Sequence, residues 1–234
     1  MSGWRPKRFW KAATADACDG GYTVRLDARP VKTPGKALLV VPTLALAEAI
    51  AAEWEAQQGV VRPETMPFTR SANSAIEKVA PQFEEVVGLL AAYGGSDLLC
   101  YRATGPIELI ARQAAGWDPL LDWVGHDLQA PLNVTAGVMP VAQPEPSLHR
   151  LRSMTAAMTP FQIAAFHDLV MLSGSLVLAF AVAHGRLDPQ DAWSLSRIDE
   201  NYQSELWGED EDAAAHAETK RLAFHHAAAF WAIC

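Results

Sequence analysis

Cysteine is scarce in this chain. Three residues in 234, Cys18, Cys100 and Cys234, lie far apart and are odd in number. They fit neither a disulfide framework nor a zinc cluster, and they suit a reducing compartment. Long uncharged apolar runs are lacking too. Leu169–Ala183 carries no charge but is only 15 residues long. A spanning helix needs about 20, and His167-Asp168 would fall inside any extension, so a buried helix is the better reading than a membrane span. Positive charge is in deficit, with 19 Lys/Arg against 27 Asp/Glu and a net charge of -8. That balance argues against a nucleic-acid scaffold or a binder of anionic membranes.

The signatures of nucleotide and metal chemistry are missing. No GxGxxG or GxxxxGK[ST] occurs, and no HExxH or Cys-x-x-Cys. His225 and His226 are adjacent, so on a helix they point about 100° apart and do not converge on an ion. Ser173-Gly174-Ser175 lacks the spacing of a nucleophile elbow. His167-Asp168 is the most interesting ionisable pair. Neighbouring helix positions do not face each other, so it is not a dyad by itself, and polar residues at a helix end account for it. The start, MSGWRPKRFWK, is basic without the apolar segment of a secretory signal behind it. It is also too short for an organellar transit peptide. The expectation is a cytoplasmic protein of a prokaryote, or a processed mature form.

What is present is a chain of 50% hydrophobic residues, enough for one large core or two moderate ones. The organising stretch is Thr159–Gly185. Thr159 and Pro160 suit a helix start and Gly185 its end. A single helix of roughly 36 Å follows from a rise of about 1.5 Å per residue. Ser173-Gly174-Ser175 stands inside it as a site of close helix contact or a bend. A helix apolar on all sides has to be surrounded.

The first 41 residues read as a small antiparallel β unit, with strands near 7–12, 21–27 and 37–41. Turn residues Asp19-Gly20-Gly21 and Thr33-Pro34-Gly35 separate them. Pro42-Thr43 opens an amphipathic helix with Leu46, Ala47, Ile50, Ala51 and Trp54 on one face. The boundary is placed after it, giving a β-rich domain of residues 1–65 and a helical domain of residues 66–234. The fold class is α+β, a small β domain followed by a larger multihelical one around the buried central helix.

Beyond residue 66 helix follows helix. The pattern predicts short helices over 69–79 and 83–91, and LLCYRA is open between a helical turn and a strand. One helix begins at Ile107 and a second at Asp118-Pro119. NVTAGVMPVAQPEP reads as a long loop with a strand-like piece. A helix over 148–158 precedes the central one. Another begins at Asp188-Pro189, with Leu195, Ile198, Tyr202 and Leu206 on one face, and Trp207-Gly208 interrupts it. A last helix covers 213–232, where Leu222, Phe224, Ala228 and Trp231 are available for packing.

Charge is unevenly spread. Residues 1–36 carry a net +5 and residues 187–234 a net -7, so the acidic end could orient a protein partner. Tryptophan is abundant, at eight: Trp4, Trp10, Trp54, Trp117, Trp123, Trp193, Trp207 and Trp231. Core packing accounts for most. Trp193 lies off the stripe of its helix, as an aromatic of a protein-binding face would. Tyr202, Gln203, Trp207 and Gly208 suit either purpose.

Several segments carry a family resemblance. They are RFWK at 8–11, VRLDARPVKTP at 24–34, VPTLALAEAIAAEWEAQQG at 41–59, MPFTRSANSAIEKV at 66–79 and YGGSDLLCYRA at 93–103. QAAGWDPLLDW at 113–123, LSGSLVLAFAVAHGRL at 172–187 and IDENYQSELWGED at 198–210 complete the set. In order and over nearly the whole chain, they resemble the ATP12 family, assembly chaperones for the F1 sector of ATP synthase. The resemblance implies a non-catalytic protein, a monomer when free, that needs no cofactor or metal. It would bind the unassembled α subunit of F1 and keep it from aggregating until the β subunit takes its place. Carried onto this chain, the family's late acidic segment implies Glu200, Tyr202, Gln203, Trp207, Gly208 and Glu211 as partner-binding candidates. Mitochondrial members carry a targeting extension, and the match without one suggests a bacterial protein. A small-molecule hydrolase, or another metal-independent enzyme using His167 and Asp168, is the competing expectation.

Overall fold

The computed structural model describes residues 7–234; Trp4 lies outside them. Two compact units divide the chain. The first takes residues up to 83 together with 159–165 and 229–234, and the second takes 84–158 and 166–228. The α+β class expected from the sequence is observed.

In the first unit, β1 (Ala13–Cys18) and β2 (Gly21–Leu26) form a hairpin. The two-residue connection Asp19-Gly20 sets Cys18 opposite Gly21 and Ala13 opposite Leu26. Gly20 takes a φ of +83°, a left-handed conformation open to glycine at little cost. A Cβ on Gly21 would overlap the Val41 carbonyl. β3 (Arg29–Pro30) and β4 (Val40–Val41) both pair antiparallel with β2. Val24 and Leu26 turn into the core while Arg25 turns out to Asp16, at 3.1 Å, as the period of two requires.

The first strand lies later than expected. Asp27 explains why, because its carboxylate accepts hydrogen bonds from the Lys11 and Ala12 amides and takes them from any ladder. Residues 7–12 therefore form no extended strand; Lys7 bridges Val60 and Trp10 plugs the core. The helix α1 (Leu44–Glu55) starts as expected. The Thr43 hydroxyl accepts from the Leu46 amide, and Leu46, Ala47, Ile50 and Ala51 are buried. Val24, Leu39, Leu46, Ile50, Ala165 and Phe230 belong to one apolar core. α2 (Pro67–Ser74) follows and continues into a π-helical turn over Ala75–Val79.

The second unit is helical. It contains α3 (Phe83–Ala92) from Glu84 onward, α4 (Ile107–His126) and α5 (Glu145–Ala156). Tyr101–Arg102 (β5) pairs in parallel with Thr135–Ala136 (β6), which settles LLCYRA as a 3₁₀ turn leading into a short strand. α4 is one helix where two were expected. Pro119 sits inside it and Asp118 caps nothing. Burial of Trp117, Leu120 and Leu121 on its inner face holds the helix through a residue that deletes one backbone bond.

The central stretch is likewise two helices and not one, α6 (Pro160–Ser173) and α7 (Leu176–Ala183). Gly174 has φ +71°, and nothing lies within 4 Å of where its Cβ would be. Backbone conformation explains this glycine; close helix contact does not. Ser175 then starts α7, its hydroxyl accepting from the Leu178 amide. Residues 176–181 are completely buried, so the expectation of an enclosed helix holds for α7. α8 (Pro189–Ser196), α9 (Ile198–Trp207) and α10 (Glu211–Ile233) complete the chain.

Candidate partner-binding surface

The partner-binding candidates begin on α9. Its residue Tyr202 is buried, with the Arg112 guanidinium 5.1 Å from its ring centroid. Arg112 also donates to Glu205, and the Gln113 amide donates to Asp199 at 2.6 Å. These contacts fasten α9 to α4 along one side. The opposite side is open: Glu200 and Gln203 are exposed, and Glu200 accepts from Arg197 at 2.6 Å. Trp207 ends the helix 78% exposed, beside the largely exposed Leu206. Gly208, at φ +89°, turns the chain out of the helix, its amide donating to Ser204.

Glu209, Asp210, Glu211 and Asp212 then enter α10, all exposed. Asp210 accepts from the Ala213 amide and so caps the new helix. Negative charge here is favoured by the unpaired amides of a helix start. Of the six candidates, then, Glu200, Gln203, Trp207, Gly208 and Glu211 stand on a solvent-facing surface, and Tyr202 lies beneath it as a support.

Trp193 and Leu222 correct the sequence reading. Trp193 is buried, its ring 5.8 Å from that of Phe224 on α10. Its position off the stripe of α8 faces a partner helix that periodicity within α8 does not reveal. Leu222, expected to pack, is exposed, as is Leu206.

His167 and Asp168 do meet, with Nδ1 and Oδ1 3.0 Å apart. Rotamers of adjacent residues can bend toward one another at a helix surface even though the Cβ directions diverge. Both side chains remain roughly half exposed. No group of three or more His, Cys, Asp or Glu among the described residues is placed to hold a metal ion. No helix among them is long and apolar enough to cross a membrane.

Residues 7–125 match the family model of the ATP12 chaperone protein. This chain belongs to the ATP12 family. The mitochondrial protein atp12 of Schizosaccharomyces pombe is 27% identical over 219 residues, which is 88% of this chain and 75% of that protein. The crystal structure of Atp12 from Paracoccus denitrificans is 52% identical, with a TM-score of 0.94 over 96% of this chain and 97% of that one. The Atu1473 protein of Agrobacterium tumefaciens is 40% identical, with a TM-score of 0.90 over 97% of this chain and 85% of its own.

One buried carboxylate and one half-buried one in this ATP12-family chain escaped the sequence reading. Asp97 is wholly enclosed and accepts from the Leu99 amide, the Val177 amide and the Ser175 hydroxyl, the last at 2.8 Å. It therefore caps a 3₁₀ turn and the start of α7 together. Burial pushes its carboxyl above the ordinary aspartate range, although the donors pull the other way. Glu53 on α1 accepts from the Phe68 and Thr69 amides and the Thr69 hydroxyl, capping α2 from outside. Burial raises it as well. An Asp before Leu-Leu is a legible cap for its own turn. The second helix it serves lies 80 residues further on and leaves no local signal.

Proposed function

We propose that this protein is a non-enzymatic assembly chaperone that binds the unassembled α subunit of F1. By this reading it holds that subunit out of aggregation until the β subunit claims its surface. An unpaired subunit presents apolar area intended for a neighbour, and such area aggregates. A chaperone lowers the free concentration of that form by mass action. It acts as a monomer, without metal or cofactor, in the bacterial cytoplasm, and residues 66–234 carry the client surface.

The observation that supports this reading is Trp207, an indole left 78% exposed at a helix end and followed, after Gly208, by four consecutive acidic residues. An aromatic anchor inside a charged rim concentrates binding energy while the charges speed and orient encounter. Binding of isolated F1 α subunit to folded Glu200→Ala, Trp207→Ala and Glu211→Ala variants tests it. Loss of affinity at Trp207 of tenfold or more is expected, with smaller losses at the two glutamates. Unchanged affinity in all three, or equal binding to unrelated unfolded chains, would remove the proposal.

A further inference from the structure

The 133–143 loop is built in an unusual way. Its neck is clasped by amides: Asn133 receives a hydrogen bond from and gives one to the Gln143 side chain, at 2.9 and 2.7 Å, and its own amide reaches the Ala142 carbonyl. Its middle is paired through β6, and the Gly137 amide donates to the Arg102 carbonyl at 2.8 Å. Yet the tip held out by this framework is Val138, 93% exposed, and Met139, 73% exposed. Exposed tips ordinarily carry Gly, Asn, Asp or Ser.

The loop runs beside the segment that leads into α4. Gly137 lies against Thr104, three residues before Ile107, which is 76% exposed at the first turn of α4. Along α4 the partners run Trp117 to Leu195, Gln113 to Asp199 and Arg112 to Glu205. Falling numbers on one side meet rising numbers on the other, so the start of α4 and the end of α9 share an end of the unit. Ile107, Val138 and Met139 are therefore exposed apolar groups toward the same end of the unit as Leu206 and Trp207.

The charge left over at that end is negative. Arg102 and Arg112 are each matched to a carboxylate, Asp118 and Glu205, at 2.7 Å. Glu209, Glu211 and Asp212 have no cation within ion-pair distance among the described residues.

Resting on the chaperone reading above, we infer that the 133–143 loop and the start of α4 form the apolar half of the client site. Its occupant is a basic-rimmed apolar face of the unassembled F1 α subunit. Unmatched carboxylates select the basic rim, and the clasped loop presents Val138 and Met139 with little ordering cost at binding.

The test uses the full chain and purified α subunit, with circular dichroism and thermal melting as controls. Val138→Ser/Met139→Ser removes the apolar tip at exposed positions; binding at least tenfold weaker with an unchanged melting profile is expected. Gln143→Ala opens the clasp while leaving Val138 and Met139 in place, and it should also weaken binding several-fold. If the unaltered chain binds and the double variant binds equally well, this inference falls and the chaperone reading stands. If the unaltered chain does not bind the α subunit, both fall. If sedimentation shows the unaltered chain dimeric and the double variant monomeric, a second copy covers the loop and the inference is overturned.

Discussion

At the scale of single residues, Asp97 is the most consequential position outside the proposed binding surface. Its carboxylate satisfies three donors inside the fold. Asp97→Ala would leave them unpaired, at about 1–3 kcal/mol for each group left buried without a partner, and should abolish stable folding or lower the urea midpoint sharply. The same residue sets a pH dependence. Its folded pKa is raised by burial, so the folded state keeps the proton longer than the unfolded chain does. Its contribution to stability is complete below about pH 4, the unfolded range for aspartate, and is lost as pH climbs through the higher folded value. Glu53 adds a slope of the same sign. Urea midpoints across that interval should fall less steeply with pH in Asp97→Asn than in the unaltered chain; identical slopes would contradict the assignment.

Cysteine offers a second test at this scale. Burial pushes the Cys100 thiol up to about 12, leaving almost no thiolate at neutral pH. Alkylation of the native protein at pH 8, followed by mass spectrometry, should spare Cys100 until the chain is unfolded.

At the scale of elements, two interruptions behave oppositely. Gly174 occupies φ +71° in open space, so Gly174→Ala should cost about 1 kcal/mol through backbone strain alone. Pro119 is an exposed residue within α4. Pro119→Ala restores the missing bond to the Ala115 carbonyl and should stabilise the fold by about 1–3 kcal/mol. Thermal melting of the two variants decides both, with opposite shifts expected. These elements also show why local pattern misled. Asp118-Pro119 has the composition of a helix start, but the helix had already begun at Ile107, and packing of Trp117, Leu120 and Leu121 carries it through. Ser196-Arg197 ends α8 with the backbone of Arg197 at φ -117°, in a run whose apolar spacing reads as continuous.

At the scale of the whole molecule, charge is the property that binding should report. Residues 187–234 carry a net -7, and the exposed acidic run after Trp207 lies among them. Raising ionic strength from 50 to 500 mM should slow association with the client markedly and change dissociation little, since exposed charges are screened over about 10 Å at 0.1 M. Stopped-flow binding would read the two rates apart; a salt-independent on-rate would count against an electrostatically guided encounter.

The sequence by itself determined the family, the α+β order, the strand β2, the face of α1, the enclosed apolar run of α7 and the acidic segment around Trp207. Each is written in neighbouring residues, through a period, a cap or a motif. Tertiary structure alone decided that Trp193 is covered by Phe224, that Asp97 serves a helix start far along the chain, and that Val138 and Met139 project from a clasped loop. Burial and hydrogen-bond satisfaction there depend on groups distant in sequence, and periodicity within one segment carries no information about them.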